Sequence, residues 1–132
     1  MRVIPSSELI INADGSIFHL HLKPEQLADK VILVGDPDRV DMVAGFFDEK
    51  ECEVRSREFH TITGKVRGQR ISCVSHGMGT DNIDIVLTEL DALKNIDFNT
   101  RMVKPEHTQL TLVRIGTSGG LQPFCPVGSF VV

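Results

Sequence analysis

The sequence predicts an α/β protein built on a sheet that is at least partly parallel. Short apolar runs recur along the 132 residues, helical patterns separate some of them, and three of the runs end in glycine. The predicted order is strand, helix, strand, strand, helix, strand, which is typical of α/β folds. A chain of this length forms one domain, so we expect a single domain over residues 1–132.

The first half of the chain predicts one strand and one helix after an extended arm at residues 1–17. Residues 31–34 (VILV) have the length and composition of a short buried strand. Asp36 can then cap a helix that has Pro37 as its first residue. Residues 51–57 are of mixed character and are expected to be extended. The predicted helix places its apolar side chains on one face: Val40, Val43, Ala44 and Phe47.

Residues 59–66 and 70–75 predict two further strands, and residues 81–95 predict the longer helix. Either Thr80 or Asp81 can cap this helix at its N-terminus. Apolar residues recur at spacings of three and four along it, which indicates a buried face. These residues are Ile83, Val86, Leu87, Leu90 and Leu93.

The remaining third of the chain alternates between irregular and apolar segments. Residues 99–109 are polar and contain a proline, so we expect a surface excursion there. Residues 110–115 predict a strand, and a glycine-rich turn follows it. The last six residues, 127–132, are mostly apolar and predict the beginning of another strand.

Composition excludes several classes of function. The net charge of −4 and the lack of Trp and Tyr argue against nucleic-acid binding. No apolar stretch approaches the roughly 20 residues that cross a bilayer, so we expect no membrane association. Three separated cysteines without a CxxC pair indicate reduced thiols and a cytoplasmic protein. Cys73 lies in a strand pattern and is expected to be a core residue.

Glycine follows three predicted strands, at Gly35, Gly77 and Gly116. In open α/β sheets, ligands bind beyond the carboxyl ends of the strands, and glycine lets a ligand approach the backbone there. A dinucleotide is disfavoured because neither glycine-rich loop completes the GxGxxG pattern. Calcium is disfavoured because Asp36 and Asp38 lack the later ligands of a calcium loop. The histidines do not share metal-ligand spacing, so we expect no metal.

An anion is the remaining candidate ligand. Arg39 lies one helical turn after Gly35, near a predicted helix N-terminus whose amides and dipole favour negative charge. Arg114 interrupts an otherwise apolar strand end just before Gly116, and Thr117 can donate a hydroxyl hydrogen bond. Arginine suits phosphate because its planar fork can donate two hydrogen bonds at once.

Three motifs in this order, VGDPDRV, SREFHTITGKVRGQRISCVSHGMG and LVRIGTSGG, resemble the N-terminal part of the nucleoside phosphorylase family, most closely its uridine phosphorylases. The resemblance extends from about residue 19 to residue 132. It implies a three-layer α/β/α sandwich around a mixed sheet. The family's base-recognising and ribose-holding residues would follow residue 132, so we expect this chain to be a truncated, N-terminal portion of such a domain.

The resemblance also implies roles for individual residues. Arg57 would reach phosphate in the site of a neighbouring subunit, and His19 would cross the same interface to the ribose 5′-hydroxyl. The active unit would therefore be a homodimer, commonly assembled into a hexamer. The residues implied to contact phosphate are Gly35, Arg39, Arg57, Arg114 and Thr117.

The implied reaction is the phosphorolysis of a pyrimidine ribonucleoside, uridine, to ribose 1-phosphate and free base. Inorganic phosphate is then the co-substrate, and no organic cofactor or catalytic side chain is expected. Some members hold a monovalent cation at the dimer interface with a glutamate like Glu58, although Asn82 here replaces a serine. The alternatives are a purine nucleoside phosphorylase, a hydrolytic nucleosidase, and a catalytically silent fragment that binds phosphate or self-associates.

Overall fold

The computed structural model describes residues 2–132 and contains a five-stranded sheet with one helix on each face. A short 3₁₀ helix over Pro24–Gln26 precedes the sheet. Neither α-helix in the described chain is long and apolar enough to cross a bilayer. The elements are β1 (Lys30–Val34), α1 (Pro37–Ala44), β2 (Glu49–Ser56), β3 (Phe59–Val66), β4 (Gln69–Ser75), α2 (Thr80–Asn95), β5 (Ile96–Asp97), β6 (Met102–Val103) and β7 (Thr111–Ile115).

The sheet is mixed, as expected, with strand order β2-β3-β4-β1-β7. Strands β2, β3 and β4 form an antiparallel meander. Strand β1 lies between β4 and β7 and pairs in parallel with both, so that Val34 is opposite Ser75 on one side and Ile115 on the other. The carboxyl ends of β4, β1 and β7 therefore meet at one edge of the sheet.

Each face of the sheet carries its own apolar core, which confirms the three-layer architecture. On one face, Val31 and Leu33 of β1 pack in a cluster with Leu90 and Leu93 of α2. On the other face, Val34 packs in a cluster with residues of α1 and with Cys73, which is fully buried as predicted. Successive side chains of a strand point to opposite faces, so one apolar strand can serve both helices.

The two helices begin differently from one another. Asp36 caps α1 as predicted, since its carboxylate accepts a 2.9 Å hydrogen bond from the Asp38 amide. The predicted caps of α2, Thr80 and Asp81, are wrong because both residues already lie inside the helix. Gly79 is the N-cap, with φ of +95° and no side chain to offer. Glycine adopts this backbone conformation without the strain that a side chain would bring.

The strand predicted at residues 127–132 is absent from the structure of residues 2–132. These residues form no ladder, and Val127 and Phe130 are almost wholly exposed. An apolar run becomes a strand only where another strand offers hydrogen bonds, and β7 is the last strand at this edge. The predicted surface excursion at residues 99–109 contains one ordered feature, because β6 pairs with β5 at its start.

Gly64 tests how tightly the meander is packed. It lies on β3 opposite a bulge in β2, and a Cβ there would overlap the Glu49 carbonyl oxygen and lie 2.6 Å from Phe47 Cδ2. Gly64→Ala should lower the free energy of unfolding by about 1–3 kcal/mol, because backbone must move to admit the methyl group. Urea unfolding measures this change. Gly119→Ala is the control, since no atom lies within 4 Å of its Cβ; equal effects from both variants would contradict the prediction.

Candidate functional site

A cleft of about 1090 Å³ lies at the edge where the carboxyl ends of β4, β1 and β7 meet. The three glycine-terminated strands predicted from the sequence therefore contribute to one cavity. The turns after these strands, together with the first turns of α1 and α2, form its walls. Its lining includes Gly35, Arg39, Glu58, His76, Gly77, Gly79, Asn82, Arg114, Gly116 and Thr117.

Four of the six residues assigned to the site from the sequence line this cleft. Arg39 enters from the first turn of α1, where its amide donates to the Asp36 carbonyl at 3.1 Å. Arg114 enters from β7, where its backbone is paired with Leu33 of β1. Gly35 and Thr117 belong to the turns after β1 and β7. Two arginines from segments 75 positions apart thus line a shared cavity.

The guanidinium of Arg114 is fixed by its surroundings. Its Nε donates a 3.0 Å hydrogen bond to Nε2 of His76, which is 4% exposed. The group also folds back over its own turn, since a Cβ on Gly116 would lie 2.5 Å from Arg114 Nη1. Because only Nε is used in the bond to His76, the terminal nitrogens Nη1 and Nη2 can still donate to a ligand.

The two carboxylates of the cleft already have donors. Asp36 accepts from the Asp38 amide, and Glu58 Oε1 accepts a 2.8 Å hydrogen bond from Asn82 Nδ2. The backbone amide of Glu58 and then the Asn82 amide hold the pKa of the Glu58 carboxyl below its usual value. Gly77 makes this contact feasible, because a Cβ there would lie 2.7 Å from Glu58 Cγ. The cleft therefore combines occupied carboxylates with open guanidinium donors, which favours an anionic ligand.

The first amides of α1 already have acceptors, whereas the start of α2, which also lines the cleft, has no side-chain cap. At α1, Pro37 has no N–H, and the amides of Asp38 and Arg39 donate to Asp36. The free amides expected at the start of α1 are therefore already in use, whereas the expected effect of the helix dipole near Arg39 stays a prediction. At α2, Gly79 supplies no side-chain cap, and Gly79, Thr80 and Asn82 line the cleft. The N-terminal amides and dipole of α2 add positive potential there.

The other two residues assigned to the site, Arg57 and His19, lie outside this cleft. Arg57 is exposed in the turn between β2 and β3, with φ of +55°. His19 lines a separate pocket beside α2, where its Nδ1 is 2.7 Å from Glu89 Oε1. The same buried carboxylate accepts hydrogen bonds from the backbone amides of His19 and Leu20, at 3.0 and 2.9 Å. Glu89 therefore holds both the backbone and the ring of His19.

Sequence reasoning missed the contacts of three side chains that organise these sites: His76, Asn82 and Glu89. A signal existed for two of them. His76 is a polar residue between an apolar strand and a glycine, and Glu89 interrupts the apolar face of α2. A charged group on a buried face indicates a specific partner, because an unpaired buried charge is costly. The contact between Asn82 and Glu58 joins residues 24 positions apart, and no local pattern indicates it.

Among residues 2–132, one group of polar side chains has atoms close enough to hold a metal, namely Asp41, Glu53 and His60. The guanidinium of Arg55 already bridges the two carboxylates, donating to Asp41 at 2.9 Å and to Glu53 at 3.0 Å. His60 Nε2 lies 2.9 Å from Glu53 Oε1. Arginine thus provides the positive charge in this cluster.

The fold and the cleft together define an α/β protein whose carboxyl-edge cavity is suited to a small oxyanion. The chain matches the phosphorylase superfamily over residues 29–132. It belongs to that superfamily. The chain spans only about 40% of the length of the relatives that it matches.

Relatives of the chain include phosphorylases of two kinds. A uridine phosphorylase from Thermococcus kodakarensis is 32% identical over 96% of this chain and 41% of its own. A DeoD-type purine nucleoside phosphorylase from Geobacillus stearothermophilus is 34% identical over 79% of this chain and 39% of its own. The crystal structure of a Trypanosoma brucei nucleoside phosphorylase, described as showing uridine phosphorylase activity, superimposes with a TM-score of 0.81 at 35% identity, covering 89% of this chain and 41% of that one.

Acid should destabilise the chain through His76. Burial lowers the pKa of His76 below its ordinary value of 6.5. The nearby Gly77 backbone opposes this shift in part, and the charge of Arg114 adds a smaller lowering effect. Between the folded and unfolded pKa values the unfolded state binds more protons, so stability falls as the pH falls below 6.5. His76→Gln should remove this contribution. Urea unfolding of both proteins from pH 8 to pH 5 measures it, and a pH-independent difference between them would contradict the assignment.

Proposed function

We propose that the chain is the phosphate-binding part of a nucleoside phosphorylase, with uridine as the first nucleoside to test. One observation carries the proposal: Arg39 and Arg114 reach one glycine-walled cleft from different elements, and Thr117 lines the same cleft. Guanidinium forks match the geometry of phosphate oxygens. The relatives with uridine phosphorylase activity cover the largest shares of this chain among those described above, which supports the choice of uridine.

In the proposed reaction, phosphate is the nucleophile and no side chain forms a covalent bond. A phosphate oxygen bonds to the anomeric carbon while the bond from that carbon to the base nitrogen breaks. The base leaves with the bonding electrons and takes up the proton that hydrogen phosphate carried. Arg39 and Arg114 would fix the dianion beneath the sugar and balance its charge, so their contribution is positioning and electrostatic stabilisation.

Arg57 and His19 fit this proposal as residues that act in the cleft of a second copy of the chain. Both lie outside the cleft of their own chain, and Arg57 is exposed at a hairpin turn. Because Nδ1 of His19 contacts Glu89, Nε2 is the ring nitrogen that can meet a ribose hydroxyl. The proposed active unit is therefore a dimer in which each copy completes the site of the other.

Purine nucleosides are the second candidate substrates, and the similarity to a DeoD-type purine nucleoside phosphorylase supports them. The residues that line the cleft come from the phosphate side, so they do not separate the two classes of base. A hydrolytic nucleosidase is less favoured because a water nucleophile has no use for two arginines in one cleft. A silent phosphate-binding fragment differs from the main proposal only in lacking turnover.

Phosphate binding tests the site directly. Isothermal titration of the 132-residue chain with inorganic phosphate should show one saturable site. Arg39→Ala and Arg114→Ala should each weaken it by about tenfold or more, because hydrogen bonds to charged groups are worth about 1.5–3 kcal/mol. Arg2→Ala removes an exposed guanidinium from another part of the surface and should leave binding unchanged. Absence of binding by the unaltered chain would overturn the proposed function.

Turnover separates the candidate substrates. In the protein that carries this chain, base release from uridine should require phosphate and should yield ribose 1-phosphate in equal amount. Inosine is the matched purine substrate, and a higher kcat/KM for inosine would favour the second candidate. Base release in the absence of phosphate would indicate a nucleosidase. Phosphate binding without any base release would support the silent fragment.

A further inference from the structure

His76 lies at the carboxyl edge of the sheet, where β4 pairs with β1. It follows β4 directly, and its backbone amide donates a 2.9 Å hydrogen bond to the Val34 carbonyl of β1. The backbone of His76 is therefore attached to the sheet. Gly35 lies close beside the ring, since a Cβ there would lie 3.8 Å from His76 Cε1. The ring is thus held at the carboxyl end of β1, within reach of Arg114 on the far side of that strand.

The contact with Arg114 determines the proton arrangement of this ring. A guanidinium is always protonated and can only donate, so Nε2 of His76 must accept the 3.0 Å hydrogen bond with its lone pair. The ring is then neutral and carries its proton on Nδ1. A charged imidazolium would lose the acceptor and repel Arg114. The hydrogen bond therefore exists only with the neutral ring.

Packing alone does not explain this arrangement of the ring, because it leaves the Nδ1 donor without a partner. Nδ1 is buried, and no group among residues 2–132 meets it with hydrogen-bond geometry, although the Gly77 carbonyl is near enough to affect the ring. A buried donor without a partner destabilises a fold, and such a group in a native protein calls for an explanation. The explanation available here is the acceptor on the opposite side of the ring.

We infer that His76 is a positioning residue, which holds Arg114 by Nε so that Nη1 and Nη2 face phosphate. This inference rests on the proposed function. Gly116 completes the arrangement because its missing side chain leaves space for the guanidinium, 2.5 Å from where a Cβ would stand. His76 touches neither phosphate nor nucleoside in this role. It reduces the freedom of a long side chain before the ligand arrives, and such preorganisation raises affinity.

Two substitutions separate positioning from packing. His76→Leu keeps an apolar group of similar bulk and removes the acceptor, so phosphate affinity in isothermal titration should fall about tenfold. Its unfolding midpoint in urea at pH 7.5 should stay level or rise, because the unpaired donor is also removed. His76→Gln offers a carbonyl oxygen near the place of Nε2 and should recover most of the affinity. His107→Leu, at an exposed histidine outside the cleft, is the control.

Each outcome of this experiment decides something. Wild-type affinity in His76→Leu would overturn the positioning role while leaving the proposed function intact. A loss of affinity that matches a loss of stability, without recovery in His76→Gln, would also overturn it and would assign His76 to packing. No binding by the unaltered chain, under conditions where it is folded, would overturn the proposed function and this inference together.

The tautomer gives a second measurement that does not depend on phosphate. In ¹⁵N NMR spectra at pH 7.5, the His76 ring should show a protonated Nδ1 and an unprotonated Nε2. Arg114→Ala removes the donor that selects this tautomer, so the two ring nitrogens should then move toward a mixture. A protonated Nε2 in the unaltered chain would contradict the hydrogen bond and overturn the inference.

Discussion

The parallel pairing of β1 with both β4 and β7 is the constraint on which the candidate site depends. This pairing sets the carboxyl ends of three strands side by side. The register places Arg114 opposite Leu33, and His76 continues the ladder of β4 by one residue through the Val34 carbonyl. A shift of one residue in either pairing would turn these side chains to the other face of the sheet. The register of the sheet therefore sets where the cleft lies, and the turns and helix ends form its walls.

Much of the fold could be predicted from the sequence because local patterns specify it. Apolar runs gave the strands, and Asp36–Pro37 gave the start of α1. The prediction failed where the outcome depends on partners distant in the chain. Residues 127–132 have the composition of a strand but have no neighbouring strand at the end of the sheet. Helix α2 starts after Gly79, which has a positive φ. The neighbouring Thr80 and Asp81 are typical N-cap residues, so the sequence favoured them over glycine.

The candidate site could also be predicted only where local patterns specify it. Arg39, Arg114 and Thr117 stand beside glycines at strand ends, so their convergence follows from topology. The partners that orient the site, His76 for Arg114 and Glu89 for His19, are separated from them by 38 and 70 positions. No periodicity links such pairs, because each contact is made only after the sheet and α2 have packed. Sequence reasoning thus identified the groups that can meet a ligand better than the groups that hold them.

Helix α2 contributes to two separate regions of the surface. Its first turn forms one wall of the cleft. Glu89 lies more than two turns further along and binds the segment that carries His19. An α-helix is stiff along its axis over such a distance, about 14 Å for nine residues. A sliding or tilting of α2 would therefore move both the wall of the cleft and the segment that carries His19. The geometry of the cleft and the orientation of His19 are therefore mechanically linked through one helix.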